Sequence, residues 1–160
     1  MAWSKNGTPA TLGSAGDTIT ISDLTANTFN VFLGNTLASG TKRPDVQFNS
    51  DTGSNYASRY SQNGGSDGTG TSLTATYLQT YNTAVPDFTI QYVINISAEE
   101  KLIIGNAVQA ATTGAGTAPN RMETASKWAN TSAQITTVTF TNPESGDFDT
   151  SSNLSALGTD

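Results

Sequence analysis

The stretch Phe88-Thr-Ile-Gln-Tyr-Val-Ile-Asn-Ile96 decides the fold. Side chains of an extended chain point alternately to two faces. Phe88, Ile90, Tyr92, Ile94 and Ile96 therefore share one face, opposite Thr89, Gln91 and Asn95. A period of two is the signature of a strand.

The same period recurs on both sides of this run. In 17–22, Ile19 and Ile21 fall together; in 29–33, Phe29, Val31 and Leu33 do; in 45–48, Val46 pairs with Phe48. In 121–128, Met122 and Trp128 face inward while Arg121, Glu123 and Lys127 face water. Further strands are expected at 55–62, 71–78, 102–110, 134–141 and 152–158. Ile135 is out of phase with Val138 and Phe140, which a bulge or a crossing between sheets explains. Segments rich in Gly, Ser, Thr and Asn separate the strands at 11–16, 34–41, 62–70, 112–120 and 142–149. The one plausible helical turn, 98–101, reads equally well as a loop. Many short alternating strands predict an all-β chain: a single antiparallel β-sandwich, jelly-roll-like, over residues 1–160.

Composition narrows the function. The chain has 160 residues, enough for one domain with a real core. Hydrophobic residues make up 35%, a low share, but their regular spacing separates the chain from disordered sequences. A net charge of −6 argues against nucleic acid and anionic membranes as partners. With neither His nor Cys, the usual nucleophile–base systems, disulfides and zinc sites are out of reach. The paired carboxylates of a glycosidase are not evident, since the acids sit mostly in loops. No catalytic residue, cofactor or enzymatic activity is expected. After Met1 no apolar leader segment follows and no run is long enough to span a membrane, so the expectation is a chain made without a signal peptide.

Two stretches invite a sharper reading. In 48–60, Asn49 and Asp51 suit bonds to backbone two residues on, and Gly53 suits a positive φ, which together make a turn between strands. A calcium site built on Asn49, Asp51, Asn55 and Asp67 is the alternative, but the ligand spacing of a calcium loop is missing, and stability is not expected to need the ion. The second candidate is a recognition surface of Tyr56, Arg59, Tyr60, Asn63 and Asp67 beside the glycine-rich loop 62–70. Aromatic and polar groups of this kind serve glycan binding. Strand geometry favours the other reading, in which Tyr56 and Tyr60 share a strand face as core or cross-strand residues. Trp3 and Trp128 read as anchors of a partner or as core plugs, and the alternation around Trp128 favours the core.

Taken in order, "TITISDL", "TFNVFLGNTL", "FNSDTGSNYASRYSQNGG", "FTIQYVINI", "KWANTSAQITTVTF" and "GDFDTSSNLSALG" resemble a family of small virion surface proteins of tailed phages and archaeal viruses. Asn49, Asp51, Gly53, Asn55 and Tyr56 match its first motif. Trp128, Asn130, Thr131, Ile135 and Thr136 match its second, and Phe148, Ser152, Leu157 and Gly158 its third. Ser155 and Ala156 depart from the more apolar ending of the family. The resemblance implies a β-sandwich on the particle exterior, as capsid decoration, spike or fibre tip. It implies partners that are copies of the chain, in trimers by analogy, other capsid or tail proteins, or a host-surface glycan. It carries no catalytic residues. The place it implies is the virion surface, after synthesis in the host cytoplasm.

Overall fold

The structure, a computed structural model, describes residues 2–78, 84–112 and 114–160. Thr113, inside the turn-rich stretch 112–120, lies outside the described residues. The strands, in chain order, are β1 (Ser4–Lys5), β2 (Ala10–Thr11), β3 (Thr18–Ile21), β4 (Phe29–Thr36), β5 (Ala38–Ser39), β6 (Asp45–Phe48), β7 (Tyr56–Gln62), β8 (Gly68–Leu73), β9 (Thr76–Tyr77), β10 (Asp87–Ile94), β11 (Lys101–Gln109), β12 (Asn120–Trp128), β13 (Val138–Thr141), β14 (Asp147–Phe148) and β15 (Asn153–Thr159). A large sheet runs β1-β15-β4-β10-β11-β12-β7-β8, with β2 also on β15. A small sheet runs β3-β13-β6-β9, and β5 pairs with β14 apart from both. The ladders are antiparallel. No helix occurs among the described residues, and the stretch 98–100 is a turn and bend, with Ala98 at φ 64°, that leads into β11 at Lys101.

The all-β antiparallel sandwich read from the sequence is therefore the fold. The chain passes repeatedly from one sheet to the other, the jelly-roll habit, and β10–β11–β12 interrupt it with a meander. The expected strand 71–78 is split between β8 and β9, which lie in different sheets. Strand β4 continues past Gly34, where the sequence suggests a turn. Gly34 is there for clearance: a Cβ on it would stand 2.1 Å from the Phe140 ring of the opposite sheet.

The core lies between the sheets. Ile19, Ile21, Val46, Phe48, Val138 and Phe140 of the small sheet meet Phe32, Val93, Ile103, Trp128, Leu154 and Ala156 of the large one. Trp128 is fully buried; Tyr56 stacks on it at 6.3 Å and Phe48 lies 5.8 Å away, tilted. Between β12 and β13 the chain crosses from sheet to sheet, and this crossing accounts for the phase of Ile135. The Ile135 N–H donates to Asn95 Oδ1 at 2.6 Å, so its backbone is held by a side chain instead of a ladder.

Strand β10 sorts its residues as the alternation requires, yet the apolar set is turned away from the core. Phe88, Tyr92 and Ile94 are exposed, while Asp87, Thr89, Gln91, Val93 and Asn95 are buried. The same holds on β11, where Leu102, Ile104 and Val108 face out. Phe29, Val31 and Leu33 of β4 lie on that outer side too, since they pair directly with Ile94, Tyr92 and Ile90. Alternation says which residues share a face; it does not say which face meets the second sheet. The choice follows from Phe32, Ile103, Met122 and Trp128, which fill the interior, and from a buried ion pair.

That pair joins Lys42 to Asp87 at 2.6 Å, with both side chains wholly inaccessible. Lys42 Nζ also donates to Thr36 Oγ1 at 3.0 Å, and the Thr36 hydroxyl bonds to Asp87. Burial pulls Lys42 down and Asp87 up, each toward its neutral form, and their mutual attraction opposes this. Replacing one member leaves a buried charge alone. We expect Lys42→Met to cost about 3–5 kcal/mol in chemical denaturation, and Lys42→Met/Asp87→Leu to recover most of that. Asp45, on the small sheet, is nearly buried and paired with Arg43 at 2.9 Å; burial pushes its carboxyl up to about 6. The folded chain then holds this proton more tightly than the unfolded one, so the associated stability is present below pH 4 and is lost as pH rises through 6. Melting of the wild type against Asp45→Asn from pH 4 to 7.5 is expected to show the wild type losing ground steadily up to about pH 7.

Candidate functional site: the outer face of the large sheet

The corner at 48–56 is a scaffold that sets the edge of this face. Asn49 and Ser50 take positive φ values of 50° and 57°, so the expectation that Gly53 supplies the left-handed residue is corrected. Asn tolerates that region because its side chain can bond locally, and Asn49 bonds across the corner, accepting from the N–H groups of Thr136 and Thr137. Asp51 is the hub. Its carboxylate accepts from Trp128 Nε1 at 2.7 Å, from Asn55 Nδ2 at 2.9 Å and from the Gly53 N–H at 2.9 Å. Partial burial pushes this carboxyl up, but the three donors outweigh it and hold it below its ordinary value. The Tyr56 hydroxyl accepts from Phe48 N–H and donates to the Asp51 carbonyl, each at 3.0 Å. Burial raises the phenol to about 12, so it keeps its proton.

At this corner the oxygens of Asn49 and Asp51 accept from N–H donors, so they serve the turn itself. Asp67 belongs elsewhere, in an exposed ion pair with Arg59 at 3.2 Å. Among the described residues no cluster of acids is arranged to hold a metal.

The five residues of the expected recognition surface do not converge. Tyr56 is in the core, 1% exposed, and is corrected from a surface residue to a structural one. Tyr60 shares its inward side, half-buried, and meets Tyr77 edge-on at 5.7 Å. Asn63 sits in the β7–β8 turn at φ 50°, where its Oδ1 accepts from the Arg121 N–H and its Nδ2 donates to Asn120. Only Arg59 and Asp67 reach the outer side, where they border a larger feature.

That feature is the outer face itself. Across the sheet, Phe29, Ile94 and Leu102 stand in one row, Val31, Tyr92 and Ile104 in the next, and Leu33 and Ile90 in a third. On β12 and β7 the rows continue through Lys127 and Ala57, then Ala125 and Arg59, then Glu123 and Ser61, so each meets at least one polar or charged group. Ile104 is 63% exposed, Leu102 54% and Trp3 50%. Between the projecting side chains runs a shallow groove of about 730 Å³, lined by Trp3, Phe29, Tyr92, Ile94, Leu102 and Ile104 among others. A smaller one of about 340 Å³ adjoins it, with Arg59, Asp67, Asn106 and Glu123 around Ile104. The charges come in pairs: Arg59 with Asp67, Arg121 with Glu123, and Lys127 with Glu100. The sequence contained the signal for this face in 88–96 and in the run Leu102-Ile-Ile104. A strand covered on both sides reads as a nearly continuous apolar run.

If Asp51 is the hub of the corner, Asp51→Ala should cost about 1.5–3 kcal/mol, the usual worth of bonds to a charged acceptor. Asp67→Ala, which breaks an exposed pair, should stay within about 0.5 kcal/mol. The folded state binds the Asp51 proton less tightly than the unfolded chain, so its stabilisation is present above pH 4 and is lost as pH falls through the folded value. Urea denaturation at pH 7 and pH 3 checks both, and the gap between wild type and Asp51→Ala should shrink at pH 3.

No protein-family model matches the chain, and neither the curated proteins nor the solved structures give a match, so the functional reading rests on this geometry and on the sequence resemblance.

Proposed function

We propose that the chain is a non-enzymatic structural component on the exterior of a virus particle, as capsid decoration, spike or fibre, and that it works by protein–protein contact. The observation that carries this reading is the outer face: a wide, corrugated apolar surface with paired charges at its border, on a sandwich whose own core is already filled. Soluble monomers seldom expose apolar patches of more than about 300–600 Å², and larger ones mark interaction sites. The sequence resemblance supplies the particle. A chain lacking His and Cys also lacks the residues that the commonest catalytic systems use. Purified particles should carry the chain in many copies, open to antibody labelling without disruption of the shell. Its absence from particles, or its release only with their contents, would contradict the proposal.

A second reading, a carbohydrate-binding module or receptor-reading fibre tip, is favoured by one observation. The smaller groove places Arg59, Asp67, Asn106 and Glu123 around apolar Ile104, a mixture suited to hydroxyls on one side of a sugar and C–H groups on the other. Glycan-array binding that disappears in Arg59→Ala and Asp67→Ala would support it, and a blank array would count against it.

A further inference from the structure

We propose that the outer face of the large sheet is covered by the same face of a second copy of this chain. The proposal deepens the assembly reading by naming the contact, and its physical basis is the face alone.

Size is the first argument. Eight large apolar side chains are exposed: Trp3, Phe88, Tyr92, Ile94, Ile96, Leu102, Ile104 and Val108, most of them to about half. A fully exposed aromatic side chain presents about 150–250 Å² and an aliphatic one somewhat less, so these leave roughly 600–700 Å² of apolar surface in water. A standard stable interface takes about 800 Å² from each partner. One face of this sheet therefore supplies most of one side of a dimer.

Charge is the second argument. The chain carries −6 overall, and copies of an acidic protein repel. Its border on β7 and β12 is balanced: three cations, Arg59, Arg121 and Lys127, are matched by Asp67, Glu123 and Glu100, and Lys5 of β1 adds one positive charge at the opposite edge. The excess acid lies elsewhere, for instance on Asp17, Asp23, Asp147 and Asp149. A neutral, mixed border suits a copy of itself, because in a two-fold contact each cation can meet an acid of the partner. A basic or strongly acidic partner would find nothing complementary here.

Shape is the third. Side chains at every second position on β10 and β11 stand out from a pleated sheet with a groove between them, beside the more covered Phe29, Val31 and Leu33 of β4. Sheets with such faces pack about 10 Å apart by interdigitating. The interior of this sandwich is built that way, and the outer face, with fewer polar groups than the inner face of β10, is equally suited to it.

The test is mass in solution. The wild type is expected to sediment at twice the chain mass at about 100 µM. Ile104→Lys and Tyr92→Glu, which replace exposed residues, should weaken association at least about 100-fold, the loss typical of a central interface residue, with the CD spectrum unchanged and with melting lowered only at concentrations where the wild type is dimeric. In this chain without cysteine, Ile104→Cys should cross-link two copies on oxidation, while Thr20→Cys, on the outer side of the small sheet, should not. A wild type that stays monomeric at about 100 µM would overturn the proposal, as it would if a glycan or another protein covers the face. Association untouched by Ile104→Lys would overturn it too, and would leave the assembly reading standing through another contact. Absence from purified particles would instead remove the assembly reading and leave the dimer.

Discussion

A β-strand has two faces, and the small sheet can cover only one face of the large sheet. On β10 the covered side holds Asp87, Thr89, Gln91, Val93 and Asn95, and the uncovered side holds Phe88, Ile90, Tyr92 and Ile94. Shifting the strand by one residue would exchange the two sets. Such a shift would also pull Asp87 away from Lys42 and take β10 out of register with Phe32 on one side and Ile103 on the other. The ion pair is a poor source of net stability, because desolvation offsets much of its attraction. A one-residue shift would leave two buried charges without partners, a penalty that weighs against that alignment. The Gln91 amide finds no partner among the described residues, which adds a cost to the present alignment and shows that local polarity did not choose it.

The corner at 48–56 ties this arrangement to the far edge of the sheet. Asp51 holds the indole of Trp128, Trp128 stacks on Tyr56, and Tyr56 fixes the end of β6 through its hydroxyl. Trp128 ends the strand whose outward residues, Arg121, Glu123 and Lys127, form the charged border. Asn49 meanwhile pins residues 134–137 at the crossing between sheets. A few polar side chains thus decide where the core stops and where the charged rim of the face begins.

Much of the fold was legible in the sequence. The alternation in 17–22, 45–48 and 121–128 placed Ile19, Ile21, Val46, Phe48, Met122 and Trp128 in the core, where they lie. The phase of Ile135 announced a bulge or a crossing between sheets, and the crossing is what occurs. Two kinds of information were not legible. One is which face of a strand is covered, since that depends on partners distant in sequence, as Lys42 is from Asp87. The other is glycine in the role of clearance: Gly34 looks like a turn until Phe140 of the facing sheet is known. For the candidate site the sequence named residues without telling which side of the sheet each takes. Arg59 and Asp67 do border the outer face, but Tyr56 belongs to the core because Trp128 and Phe48 receive its ring. The apolar outer face was written plainly in 88–96, and only the second sheet shows that it is left over.

If a second copy covers the outer face, the large sheet is covered on both sides. Hydroxyl-radical footprinting, read residue by residue at about 1 µM and about 100 µM protein, addresses it directly. Labelling of Phe88, Tyr92, Leu102 and Ile104 should fall together at the higher concentration, while exposed positions on the small sheet keep their labelling and Trp128 stays unlabelled throughout. Equal labelling of those four residues at both concentrations would contradict the account.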